Sequence, residues 1–168
     1  MKKLTTISSF LFLFGCATKT TPLKKVASVD TQKFMGTWYV IANIPTFIEK
    51  DGTHGIERYT WNEKENRIDV MFTQKKDGKL KEYPQKAWVH DPSGNEWRVQ
   101  MWWPLKFPYL IIDLAPDYSY TVVSVPDRDY LWIMSREKTM PETTYKEILG
   151  RLKLQEFDVS KIEKVKQD

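Results

Sequence analysis

Pro126-Asp127-Arg128-Asp129-Tyr130-Leu131-Trp132-Ile133-Met134-Ser135-Arg136 is a turn that runs straight into a strand. Proline presets φ for a turn, and aspartate side chains bond nearby backbone N–H groups, so residues 126–129 reverse the chain. Residues 130–136 then supply the aromatic and β-branched side chains that fit a pleated surface.

The same couplet repeats upstream. Strands are expected at residues 37–43, 56–61, 67–74, 81–90, 96–103, 109–115, 120–125 and 130–136. The connections at 62–66, 76–79, 91–95, 116–118 and 126–129 carry Asn, Asp, Gly and Pro, the residues of tight reversals. Short strands at near-regular intervals imply an all-β sandwich or barrel. Because consecutive strands are joined as hairpins, the expectation is an eight-stranded antiparallel up-and-down β-barrel, whose closure removes exposed edges. Eight strands leave an interior just wide enough for one small ligand.

Alternation assigns faces. Trp38, Val40 and Ala42, then Ile68, Val70 and Phe72, then Ala87 and Val89, then Trp97, Val99, Met101 and Trp103 share one side of their strands, with Asp69, Arg98 and Gln100 between them. The apolar set is expected inside. Val40, Val70, Phe72, Trp97, Val99 and Met101 are the candidate ligand lining, with Arg98 or Lys106 as partners for a carboxylate or phosphate. The long connection 44–55, with Pro45 and Gly52, reads as a lid. The aromatic hairpin 102–108 reads as the open rim. Asp113, if it points inward, is a buried carboxylate that costs much unless paired.

Beyond the strands the period changes. Tyr145, Ile148, Leu149 and Leu152 recur at helical spacing after Pro141, with Glu142 near the start and Arg151 near the end. One amphipathic helix at about 141–152 is expected on the barrel's outside, and residues 157–165 add a short strand or extended tail.

The composition narrows the function. A length of 168 residues suits one core, and 7 Trp, 8 Tyr and 8 Phe exclude a disordered chain. The formal charge is +4, of which Lys2 and Lys3 lie in a segment expected to be removed, leaving about +2. Lys75, Lys76, Lys79 and Lys81 are interleaved with Asp77 and Glu82, so no nucleic-acid partner is expected. One cysteine allows no internal disulfide, and two histidines make a metal site improbable. Nothing points to a cofactor.

The first residues are an address. Met1-Lys2-Lys3 precedes an apolar run, 4–14, interrupted by Ser8 and Ser9; it is too short to span a bilayer but fits a signal peptide. The run ends Leu13-Phe14-Gly15-Cys16, which resembles the bacterial lipobox. That resemblance implies cleavage before Cys16, a diacylglycerol on its thiol and an acylated amino group, enough for durable anchoring. The expected organisation is signal peptide 1–15, lipidated tether 16–30, and barrel with helix 31–168. Ala17 stands where an Asp would resemble the inner-membrane retention signal, so the resemblance implies an outer-membrane anchor with the domain on the periplasmic face.

Gly36-Thr37-Trp38 resembles the lipocalin Gly-X-Trp motif. The opening quotation resembles the second and third conserved lipocalin regions run together, as in bacterial outer-membrane lipoprotein lipocalins and their apolipoprotein D-like relatives. Residues 36–42 and 156–161 fit the same subgroup, and the resemblance covers roughly residues 30–165. It implies that Trp38 closes the barrel base, that Arg136 lies across its indole, and that Asp127 orders the last turn. Gly36, Trp38, Asp127 and Arg136 are thus expected to be structural. It also implies a non-enzymatic protein, monomer or homodimer, holding a fatty acid, lysophospholipid or phospholipid. The chain departs from the pattern at Asp113, where relatives carry a small apolar residue, and at Ser124-Val125.

Two other functions compete. A hydrolase needs a base within reach of a nucleophile, but Cys16 is expected to be acylated and no Gly-X-Ser-X-Gly elbow exists. Ser93 beside His90, and Asp69 with Asp113, are the remaining catalytic candidates. The third reading is an empty barrel that only scaffolds the envelope.

Overall fold

The computed structural model describes residues 21–168; Cys16, the expected signal peptide and the first part of the expected tether lie outside the described residues. Its elements are α1 (Thr31–Phe34), β1 (Gly36–Ile44), β2 (Thr53–Asn62), β3 (Arg67–Lys76), β4 (Lys79–Val89), β5 (Glu96–Gln100), β6 (Phe107–Leu114), β7 (Tyr120–Ser124), β8 (Leu131–Ser135), α2 (Glu142–Leu154), a 3₁₀ turn (Val159–Lys161) and β9 (Glu163–Lys164). Each strand from β1 to β8 is antiparallel to its successor, and β1 returns to pair with β8. The result is the expected closed eight-stranded barrel. The short β9 adds to the far half of β1 through Ala42 and Asn43. There β1 and β2 have parted, and Gln167 spans the seam by donating to the carbonyls of Val40 and Gly55.

Two hydrophobic clusters share the wall. Inside are Phe34, Trp38, Val40, Tyr59, Ile68, Val70, Phe72, Trp97 and Ile111. Outside, Tyr145, Ile148 and Leu152 of α2 pack on Ile44, Leu110, Val122, Leu131 and Ile133. The helix buries the face its spacing predicts. Ala42 belongs to this outer cluster, not to the interior with Val40. A register shift between Val40 and Ala42 is the reason, because one extra residue sends the next side chain to the other face.

A second shift, between Ile111 and Asp113, settles the odd carboxylate. Asp113 lies on the helix side of the wall, and its Oδ2 accepts from Arg151 Nε at 2.7 Å, while Arg151 Nη2 donates to the Tyr120 hydroxyl at 3.0 Å. The bulge brings the charge out to a cation, so no buried carboxylate has to be tolerated here.

Residues 21–30, expected to be tether, are part of the folded domain. Arg128 in the β7–β8 turn donates from Nη2 to the Thr21 carbonyl at 2.6 Å and from Nε to the Gln155 carbonyl at 2.8 Å. The chain then runs down the wall, with the Val26 N–H donating to Ile111 and the Val29 N–H to Ser93. Leu23 and Val29 are buried, and Lys25 pairs with Glu96 at 2.7 Å. Satisfied backbone groups and buried apolar side chains hold this stretch in place.

Candidate ligand cavity

One end of the barrel is shut. Phe34, on α1, sits against Trp38, Tyr59 and Trp97 with ring centroids 5.0, 5.4 and 4.9 Å away. Such contacts contribute about 0.5–1.5 kcal/mol each beyond burial. The Trp38 Nε1–H donates to the Phe34 carbonyl at 2.9 Å, so the buried indole has its partner. Outside, the Arg136 guanidinium lies 3.7 Å from the Trp38 ring centroid and donates to the carbonyls of Lys33, Phe34 and Thr37. The cation–π contact contributes about 0.5–2 kcal/mol. Gly36 takes φ +97°, and a Cβ there would stand 3.3 Å from Arg136 Nη1. Only glycine meets both demands cheaply. Asp30 caps α1 by accepting from the Gln32 and Lys33 N–H groups.

Above this layer lies a cavity of about 500 Å³ that opens at the opposite end, within the usual size of small-molecule sites. Val70, Phe72, Val99 and Met101, four of the candidate lining residues, are on its wall, beside Tyr59, Tyr109, Trp132 and Met134. Three candidates are elsewhere. Trp97 is wholly buried in the base layer, its Nε1–H donating to the Gly94 carbonyl at 2.8 Å. Val40 packs behind Gly55 and Phe72. Arg98 has the opposite parity to Trp97 and pairs with Glu96 at 2.6 Å. Lys106 sits 3.9 Å above the Trp88 ring and is not on the wall. Neither cation nominated for a ligand's acidic group therefore enters the cavity.

The mouth is rimmed by exposed apolar side chains. Phe47 of the lid stacks on Trp102 at 6.0 Å, and Trp103, Leu105, Phe107 and Tyr130 are exposed around them. β5 ends at Gln100, so Trp103, expected inside, is 87% exposed on the turn that follows. Asp127 and Asp129 stand on the lip. Asp127 Oδ1 accepts from the Asp129 N–H at 3.3 Å, and the Ser124 hydroxyl donates to the Tyr130 carbonyl at 2.7 Å, which together shape this turn.

Two carboxylates face inward that sequence reading did not single out. Glu49 anchors the lid: it accepts from the Thr46 N–H and hydroxyl at 3.1 and 2.7 Å, from Trp132 Nε1 at 2.6 Å and from Asn43 Nδ2 at 3.3 Å. Glu57 projects from β2 with the same parity as Tyr59. It is only 9% exposed, and its Oε2 has no hydrogen-bond partner. Burial pushes its carboxyl up to about 8, and the negative charge of Glu49 adds to the rise. Beneath it the Tyr59 and Tyr109 hydroxyls lie 2.6 Å apart, both pushed well up by burial. The available signal was parity: Gly55, Glu57 and Tyr59 alternate with Ile56 and Arg58.

The model of the lipocalin-like domain matches residues 29–167 of this chain. The chain belongs to the lipocalin family. This lipocalin is 29% identical over 155 residues to temperature-induced lipocalin-1 of Arabidopsis thaliana, covering 86% of this chain and 83% of that protein. It is 29% identical over 164 residues to the outer membrane lipoprotein Blc of Escherichia coli (strain K12), covering 88% and 85% of the two chains. Among solved structures, insecticyanin from the tobacco hornworm Manduca sexta superposes with a TM-score of 0.66 at 20% identity, covering 85% of this chain and 83% of that one. The lipocalin fold, with its apolar-walled cavity, supports binding of a small hydrophobic molecule.

The catalytic candidates of this lipocalin do not come together. The Ser93 hydroxyl donates to Asp91 Oδ1 at 2.5 Å, in a turn at the closed end, and His90 is not its partner. Asp69 accepts from Arg67 Nε at 2.7 Å, and Asp113 is held by Arg151. Among the described residues no group of three metal-ligating side chains assembles, and no helix is long and apolar enough to cross a membrane.

Proposed function

We propose that this lipocalin is a membrane-anchored carrier that holds a single-chain lipid, a fatty acid or a lysophospholipid, with its tail in the cavity. The observation that carries this reading is the apolar-walled hollow of about 500 Å³ above a sealed base. Burial at about 0.8 kcal/mol per methylene gives a long acyl chain on the order of 10 kcal/mol of gross stabilisation. Lost translational and conformational freedom takes back several kcal/mol, leaving roughly micromolar affinity. That strength lets a ligand be picked up and given away, as carriage or envelope maintenance needs. Cys16 is the proposed acylation site and the outer membrane the proposed location. Support comes from the apolar run that ends at this lone cysteine and from relatives named outer membrane lipoproteins.

Native mass spectrometry after mild purification is expected to find lipid with the protein, and Val99→Arg, which places a charge on the apolar wall, is expected to weaken lipid uptake at least tenfold with the far-UV circular dichroism unchanged. An empty barrel that displaces no fluorescent lipid favours the scaffold reading. Turnover of phospholipid by the purified protein favours the enzyme.

A further inference from the structure

We propose that the inner end of the cavity is an ammonium subsite built around Glu57, and that this lipocalin prefers amphiphiles whose polar end is a protonated amine over free fatty acids. The inference rests on the proposed function's apolar cavity and narrows its ligand, setting the free fatty acid among the disfavoured ones.

The charge of the wall carries the argument. Glu49, Glu57, Asp127 and Asp129 line the cavity, and among the described residues no Lys, Arg or His does. A fatty-acid carboxylate drawn inside would lose its water, meet no cation and approach the Glu49 carboxylate, a costly arrangement. An ammonium meets the reverse. Glu57 is on the cavity wall from β2, its Oε2 has no hydrogen-bond partner, and with the Tyr59 hydroxyl beside it this carboxyl is the acceptor an ammonium would take. Tyr59, Tyr109 and Trp132 present aromatic faces and edges around it, of the kind that attract cations. Glu49 already has four donors from Asn43, Thr46 and Trp132, so it supplies negative potential and needs no ligand.

Protons balance simply. The ionisable groups facing Glu57 are Tyr59 on its own strand, Tyr109 on β6 and Glu49 on the lid. Burial keeps both tyrosines neutral and holds Glu57 protonated at neutral pH, so Glu57 is the group whose proton an ammonium displaces. When an ammonium binds, the Glu57 proton leaves to solvent and an ion pair remains. Binding that releases one proton gains about tenfold per pH unit below the carboxyl's own range.

The test compares decylamine, decanol and decanoate by isothermal titration calorimetry on the full domain, between pH 6 and 9. The expected order is amine tightest, alcohol next and carboxylate weakest, with at least tenfold between the first and last. Amine affinity is expected to rise about tenfold from pH 6.5 to 7.5, with about one proton released in buffers of different ionisation enthalpy, and to level off above pH 8. Glu57→Gln is expected to remove the pH dependence and the proton release of amine binding, with the far-UV circular dichroism unchanged. Decanoate equal to or tighter than decylamine, or an amine affinity flat in pH, overturns the subsite and leaves the carrier intact. No binding of any of the three, decanol included, overturns the carrier reading itself.

Discussion

Both ends of the barrel are aromatic, and they do opposite things. At the base, Phe34, Trp38, Tyr59 and Trp97 are buried with their polar atoms partnered, and Arg136 closes the stack from outside. At the mouth, Phe47, Trp102, Trp103, Phe107 and Tyr130 are exposed around a hollow. An aromatic residue therefore signals structure at one end and access at the other, and only its depth along the barrel tells which. Glu57 stands between the two regimes, buried like the base and unpartnered like a site awaiting a ligand.

The contrast breaks most visibly at the base. Trp38→Ala is expected to cost about 3–5 kcal/mol in urea unfolding, since it empties a packed layer and strips Arg136 of its ring; a loss under about 1 kcal/mol would make the base no more structural than the rim. Glu57 comes next. Its folded carboxyl is raised from 4.5 to about 8, so the folded state keeps a proton that the unfolded chain has released, and stability from this group falls as pH rises through that window. Glu57→Gln is therefore expected to gain about 4 kcal/mol relative to the native chain at pH 7.5, and little at pH 4.5, in denaturant titrations at both values. The smallest effect belongs to the mouth: Trp103→Ser should leave stability within about 0.5 kcal/mol, and a larger drop in thermal melting would show that the rim is packed after all.

The period-two pattern made the barrel legible, because inward and outward faces alternate along every strand and the turns between them carry their own chemistry. It did not reveal depth. Trp97, Val99 and Met101 share a face, yet the first belongs to the sealed layer and the others to the cavity wall. Nor did it reveal the two bulges, since an extra residue is decided by pairing with a neighbouring strand and leaves no local signature at Ile41 or Ile112. Those bulges moved Ala42 outward and gave Asp113 its arginine. Glu57 escaped notice because an acidic residue in a strand ordinarily faces water. Residues 21–30 read as tether from their lysines and Pro22, although Leu23, Val26 and Val29 among them are the ones that dock.

The clasp of Arg128 on Thr21 holds the first of the described residues at the β7–β8 turn. That turn belongs to the open rim, so the chain departs from the barrel's entrance and not from its sealed floor. Thr21 lies five residue steps from Cys16, a span that reaches about 18 Å at most when fully extended. The proposed acylation of Cys16 would hold the doorway within one such length of the bilayer. Loading and unloading would then be short-range, repeated encounters with a single patch of lipid, governed by leash length and not by how much of the protein a cell makes.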